Sequence, residues 1–143
     1  MWGRSPPKDN LEAWVDIHAF IAAFPDDEYW SRWKLMVEGV ISKLEARGLA
    51  PLFRVGQSMH HVIVSTVDHH DLTHEPRVTL EFLPRQGTVR VAYCDANLYF
   101  QPAIAEVHVP VSDAVPIALD YLRRLWIETK PSVPLPSVLG RDD

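Results

Sequence analysis

The chain has one cysteine, Cys94, so it cannot close an internal disulfide. It does not read as a disulfide-stabilised secreted domain. No apolar run approaches the roughly 20 residues that a membrane-spanning helix needs. The start, Met1-Trp2-Gly3-Arg4-Ser5-Pro6-Pro7, lacks the apolar stretch of a secretion signal. A cytoplasmic location away from membranes is the expectation these absences leave. Positive charge is also in short supply: 14 Lys+Arg stand against 19 Asp+Glu, a formal net charge of -5. That argues against a protein that grips nucleic acid mainly by electrostatics. Catalytic signatures are missing too. There is no HExxH and no G-x-S-x-G, and Arg54-Val55-Gly56-Gln57-Ser58 has no P-loop lysine.

What is present describes one ordinary domain. The 143 residues are 47% hydrophobic and 23% charged, near the globular average, which excludes intrinsic disorder, collagen-like repeats and coiled coil. A chain of this length buries roughly two-thirds of its unfolded surface and needs no staples. Residues 1–9, with two prolines and a glycine, read as a flexible tail. Residues 10–129 read as a single α+β domain, and the Pro-rich residues 130–143 as an extended C-terminal tail that orders only where it lies on the domain. Seven histidines are many for this length: protonating all of them moves the formal charge from -5 to +2.

Periodicity gives the order of elements. Asn10 is the expected N-cap of a first helix reaching about Phe24, with an apolar stripe of Leu11, Trp14, Val15, Ile21 and Ala22. His18 falls on that stripe. Pro25 ends the helix. A second helix starts at Asp26 or Asp27, where acids suit the helix dipole. Its apolar face is Trp30, Trp33, Val37, Val40, Ile41 and Leu44, and Gly48 is its expected positive-φ stop. After Gly48 the period shortens to two, which predicts strands near 51–55, 59–66, 76–83, 88–94 and 98–109. Pro84-Arg85-Gln86-Gly87 reads as a hairpin turn with Gly87 left-handed. Pro102 predicts a break, bulge or edge in the last strand. A third helix begins at Asp113 with Pro116 in its first turn and buries Val115, Ala118, Leu119, Leu122, Leu125 and Trp126. The fold class is therefore α+β: an N-terminal helical hairpin, a four- to five-stranded mainly antiparallel sheet, and a C-terminal helix packed on the sheet.

Three functional readings compete. The foremost is a small acidic module that binds another protein stoichiometrically, in the manner of an immunity protein, adaptor or chaperone. Tyr29 and Trp30, beside Asp26 and Asp27, form one expected interface, and Tyr99 and Phe100 a second. Acidic surface would steer a basic partner. A homodimer through a sheet edge or the last helix is compatible with the same pattern. The second reading is a small-ligand binder or enzyme with a cavity between helices and sheet, using His18, one of His60 and His61, and Tyr93. Against it stands the ordinary core histidine, hydrogen-bonded and inert. The third is a metal-binding loop drawn from Asp68, His70 and His74, since imidazole and carboxylate are usual ligands of zinc and its neighbours. Against that stands a plain solvated turn. His60 and His61 lie roughly 25 Å from this loop along a strand, too far to share one ion. Cys94 has no nucleophile context, with Asp95 beside it disfavouring a thiolate. No cofactor is expected.

Overall fold

The computed structural model describes residues 9–58, 61–66, 75–94 and 103–140. Helix α1 (Asn10–Ala22) and helix α2 (Glu28–Ala46) form the N-terminal hairpin. Strands β1 (Arg54–Ser58), β2 (His61–Ser65), β3 (Arg77–Leu83), β4 (Thr88–Cys94) and β5 (Ala105–Pro110) follow, and helix α3 (Ala114–Thr129) closes the order. The five strands lie in chain order β1-β2-β3-β4-β5, every pair antiparallel. This is the α+β architecture the sequence predicts.

The alternation of side chains builds two different sheet faces. One face carries the row Val55, Val64, Val78, Tyr93 and Ala105, in register across all five strands. Beside it runs Val62, Leu80, Val91 and Val107, then Phe82, Val89 and Val109. The helices cover this face with Trp33, Val37, Ile41 and Leu44 of α2 and Ala118, Leu122, Leu125 and Trp126 of α3. The opposite face carries Gly56, Ile63, Thr79, Ala92 and Glu106 in one row.

Helix α1 is seated differently from its expected stripe. Its buried residues are Ala13, Trp14, Ile17 and Ile21, while Leu11 and Val15 are 58% and 68% exposed. The reason is Trp14: its indole N–H donates to the Phe53 carbonyl at 2.9 Å, and this bond fixes the rotation of α1 beside β1. The N-cap is Asp9 rather than Asn10. Asp9 accepts from the Glu12 backbone N–H at 2.8 Å and Glu12 returns a bond to the Asp9 N–H at 3.2 Å, a reciprocal capping box. Asn10 instead donates to the Pro51 carbonyl at 3.3 Å. Asp9 thus belongs to the domain, not to a tail; residues 1–8 lie outside the described residues.

Three further boundaries move for local reasons. β1 starts at Arg54 because Leu49–Phe53 closes a turn, with Leu52 and Phe53 N–H both donating to Leu49. β5 starts at Ala105; Pro102 lies outside the described residues. Asp113 precedes α3 but its side chain makes no capping bond, since Val111–Asp113 forms a 3-10 turn there. Gly48 and Gly87 take φ of 85° and 68°, as their turns require.

The segment after α3 is part of the core rather than a strap alone. Trp126 donates to the Val133 carbonyl at 3.3 Å and Arg123 to the Leu139 carbonyl at 2.5 Å. Leu139 is wholly buried, and Val138 lies where any side chain at Gly48 would touch it. Among the described residues no helix is long and apolar enough to cross a membrane. Leu139→Ala is expected to cost about 2–4 kcal/mol in urea unfolding, the usual loss for a buried leucine. A loss under about 0.5 kcal/mol would show the segment detached in solution.

Candidate functional site

The outer surface of the helical hairpin is where chemistry and exposure meet. Leu11, Val15, His18 and Ala22 recur at spacings of four, three and four, so they share one stripe of α1. On α2, Leu35, Glu38, Ser42 and Glu45 form a matching stripe. The two stripes meet through His18. Its Nδ1 lies 2.8 Å and 3.0 Å from the two carboxylate oxygens of Glu38, and its Nε2 makes a short bond with Glu45. About a third of each of the three side chains remains open to water.

Two carboxylates facing both ring nitrogens call for two N–H donors, and only the imidazolium has two. Burial lowers the His18 pKa, but the hydrogen bonds and charges of Glu38 and Glu45 outweigh it and hold the pKa above the ordinary 6.5. Apart from Ser42, the rest of the two stripes is apolar. Leu11 and Val15 sit in water on α1, and Leu35, 76% exposed, on α2. Glu12 and Asp16, also exposed, flank the α1 side.

The expected Tyr29–Trp30 patch is built differently. Trp30 is half-buried in an aromatic stack, its ring 4.8 Å from Phe24 and 5.5 Å from Trp33 by centroid. Tyr29 packs edge-on to Trp30 and receives the Arg85 guanidinium at 5.5 Å. Asp26 pairs with Lys34 at 2.7 Å, which holds its carboxyl below the usual range, and Asp27 caps α2 by accepting from Trp30 N–H. Much of the expected acidity is therefore already partnered within the helix pair. Tyr99 and Phe100, the second expected interface, lie outside the described residues.

Among the described residues, those expected to line one cavity, His18, His61 and Tyr93, do not converge. His18 is in the α1–α2 seam. Tyr93 is buried on the helix-covered sheet face, donating to Glu128 at 2.6 Å under the Arg124 guanidinium. That bond, with the Arg124 pair, lowers the Glu128 pKa. His61 is on the opposite sheet face, 3.5 Å from Glu81. His60, Asp68, His70 and His74 lie outside the described residues. Among the described residues no group of His, Cys, Asp and Glu is arranged to hold a metal ion.

One cluster escaped the sequence reading. Arg54 pairs with Ser65 and Arg77 with Cys94, and the β2–β3 register brings Ser65 beside Arg77. Arg54, Ser65 and Arg77 are buried, as is Glu75, whose backbone carbonyl accepts from Arg77 at 3.2 Å. Alternation marks Arg77 as pointing away from the helices. It does not reveal that this end of the second face is covered.

No protein-family model matches this chain, and comparison with curated proteins and with solved structures returns no match either. The site's meaning rests on its own geometry. Two measurements probe it. Trp30→Ala is expected to cost about 2–3 kcal/mol, because it unpacks Phe24 and Trp33; a change within about 0.5 kcal/mol would make Trp30 a free surface residue. For His18 the folded pKa is raised. Its contribution is thus complete below the unfolded value of about 6.5 and is lost as pH rises through the folded value. The stability advantage of the native chain over His18→Gln should shrink steadily from pH 6 to pH 9. A difference independent of pH would mean the clamp carries no charge.

Proposed function

We propose that this protein acts by stoichiometric protein binding, and that the α1–α2 outer face is the docking surface. The observation that carries the reading is the doubly apolar character of α1. Its inner side is filled by Trp14, Ile17 and Ile21, yet Leu11 and Val15 stand in water on another side, as does Leu35 of α2 farther along the hairpin, toward Ala22. Exposed leucines and valines occur singly on most surfaces. Here the stripes that carry them are joined by the His18–Glu38–Glu45 clamp, which holds both helices at one spacing. A surface so fixed pays little ordering cost on binding.

Charge defines the complementary partner. Asp9, Glu12 and Asp16 line one side of the stripe and Glu38 and Glu45 the other. The partner that fits is a protein with a shallow apolar groove bordered by Lys or Arg. The formal charge of -5 would speed its approach.

A photo-crosslinking residue at position 15 or 35, in the native host, tests this. One shared adduct at both positions, absent when the crosslinker is at exposed Gln86, is the expected result. With that partner purified, Leu11→Glu and Val15→Glu should each weaken binding about tenfold or more while leaving thermal unfolding nearly unchanged. Equal adducts from Gln86, or none from positions 15 and 35, would overturn the assignment.

A further inference from the structure

β5 is the last strand of the sheet, and among the described residues nothing pairs with its outer edge. Its backbone parity can be read from one bond. Val111 N–H donates to the Gly87 carbonyl at 3.0 Å, in line with the β4–β5 register. Antiparallel ladders alternate, so Val109, Val107 and Ala105 also turn their N–H and C=O groups toward β4. Glu106, His108 and Pro110 turn theirs outward, while the Ile104 N–H donates to the Tyr93 carbonyl at 2.9 Å and so faces β4. Pro110 has no N–H to give, which suits an outward position and no other.

The side chains of this edge are complementary to themselves. Ala105, Val107 and Val109 face the helix layer but stay half-buried, because the layer stops short of them. On the flank of α3 that carries Arg124 and Glu128 over Tyr93, Ile117 and Tyr121 are half-buried as well. On the other face lie Glu106, His108 and Pro110, all exposed. The edge has no lysine and no arginine; its guards against strand addition are Glu106 and Pro110, and Pro110 ends the strand.

We propose that a second copy of this chain pairs with β5, antiparallel, about a two-fold axis through Val107. In this register Val107 meets Val107 of the partner subunit. Ala105 meets the partner's Val109, and Glu106 meets the partner's His108. Apolar groups oppose apolar groups on the helix-covered face, and carboxylate opposes imidazole on the other. The imidazole donates to the carboxylate in either protonation state and adds opposite charge when protonated. Shifting the axis by one residue toward the start of the strand sets Glu106 against Glu106. Shifting it the other way sets His108 against His108. Both alternatives lose the complementary pair. Outward backbone groups also match, because Glu106 and the partner's His108 each present N–H and C=O to the other. The product is one continuous ten-stranded sheet with the helix layers on the same side. Charge alternates along its open face. Arg90, bound to Glu106 at 2.5 Å and 3.8 Å from Glu81, stands beside His108, which then meets the partner's Glu106.

The full chain is studied by sedimentation velocity from about 1 to about 100 µM, spanning the range of ordinary weak dimers. Residue-resolved amide exchange is measured alongside. Association to a dimer is expected. The amides of Glu106 and His108 should gain protection as concentration rises, while those of Val107 and Val109 are protected throughout. Glu106→Lys should weaken the dimer about tenfold or more, since each change acts twice across the axis. Adding His108→Glu reverses both charges of the pair and should restore association. A chain that stays monomeric, with the Glu106 and His108 amides exchanging freely at every concentration, overturns the proposal. So does a dimer that Glu106→Lys leaves intact, which would place the interface elsewhere. Circular dichroism of each variant separates loss of pairing from loss of fold.

Discussion

The bond from the Trp14 indole to the Phe53 carbonyl sets the arrangement of this molecule. It ties the first helix to the residue just ahead of the first strand, 39 positions later in the chain. A buried indole N–H left unbonded would cost on the order of 1–3 kcal/mol, so the rotation of α1 is strongly held. Once that rotation is fixed, Ala13, Ile17 and Ile21 must face inward. Leu11 and Val15 must then face water, and His18 must meet α2. The hairpin's outer surface is thus a by-product of how one tryptophan is satisfied.

Legibility in the sequence followed the strength of local signals. β3 and β4 were readable because strict alternation, Val78-Thr79-Leu80-Glu81-Phe82 and Val89-Arg90-Val91, is flanked by a turn ending in a glycine that needs positive φ. α2 and α3 were readable because their apolar positions coincide with the buried ones. The rotation of α1 is not legible, since five apolar residues besides the alanines and phenylalanine surround it and only a distant carbonyl chooses among them. The same limit governs the site. The sequence marks His18 as unusual on an apolar stripe but cannot show that Glu38 and Glu45, twenty and twenty-seven residues on, arrive from the next helix. Nor can it show that Arg54 and Arg77, on different strands, are buried on one face.

Two kinds of polar burial coexist here. The His18 clamp is about one-third open to water, so it trades modest Coulomb gain against screening. The arginines of the second sheet face are nearly closed off, where an ion keeps its charge only with close partners. The first arrangement positions helices and responds to protons. The second holds one end of the sheet in a single arrangement.

The strand order has a consequence for synthesis. Because the sheet is laid down as a simple meander, each strand leaving the ribosome finds its neighbour already made. The helices on that sheet do not arrive together. Phe82, Val89, Val91 and Tyr93 are translated before the α3 residues that cover them, and Leu139 comes later still. During that interval the growing chain displays a partly uncovered apolar sheet to water or to a waiting chaperone. Slow translation across residues 95–113 would lengthen the interval, and with it the chance of capture by another nascent chain.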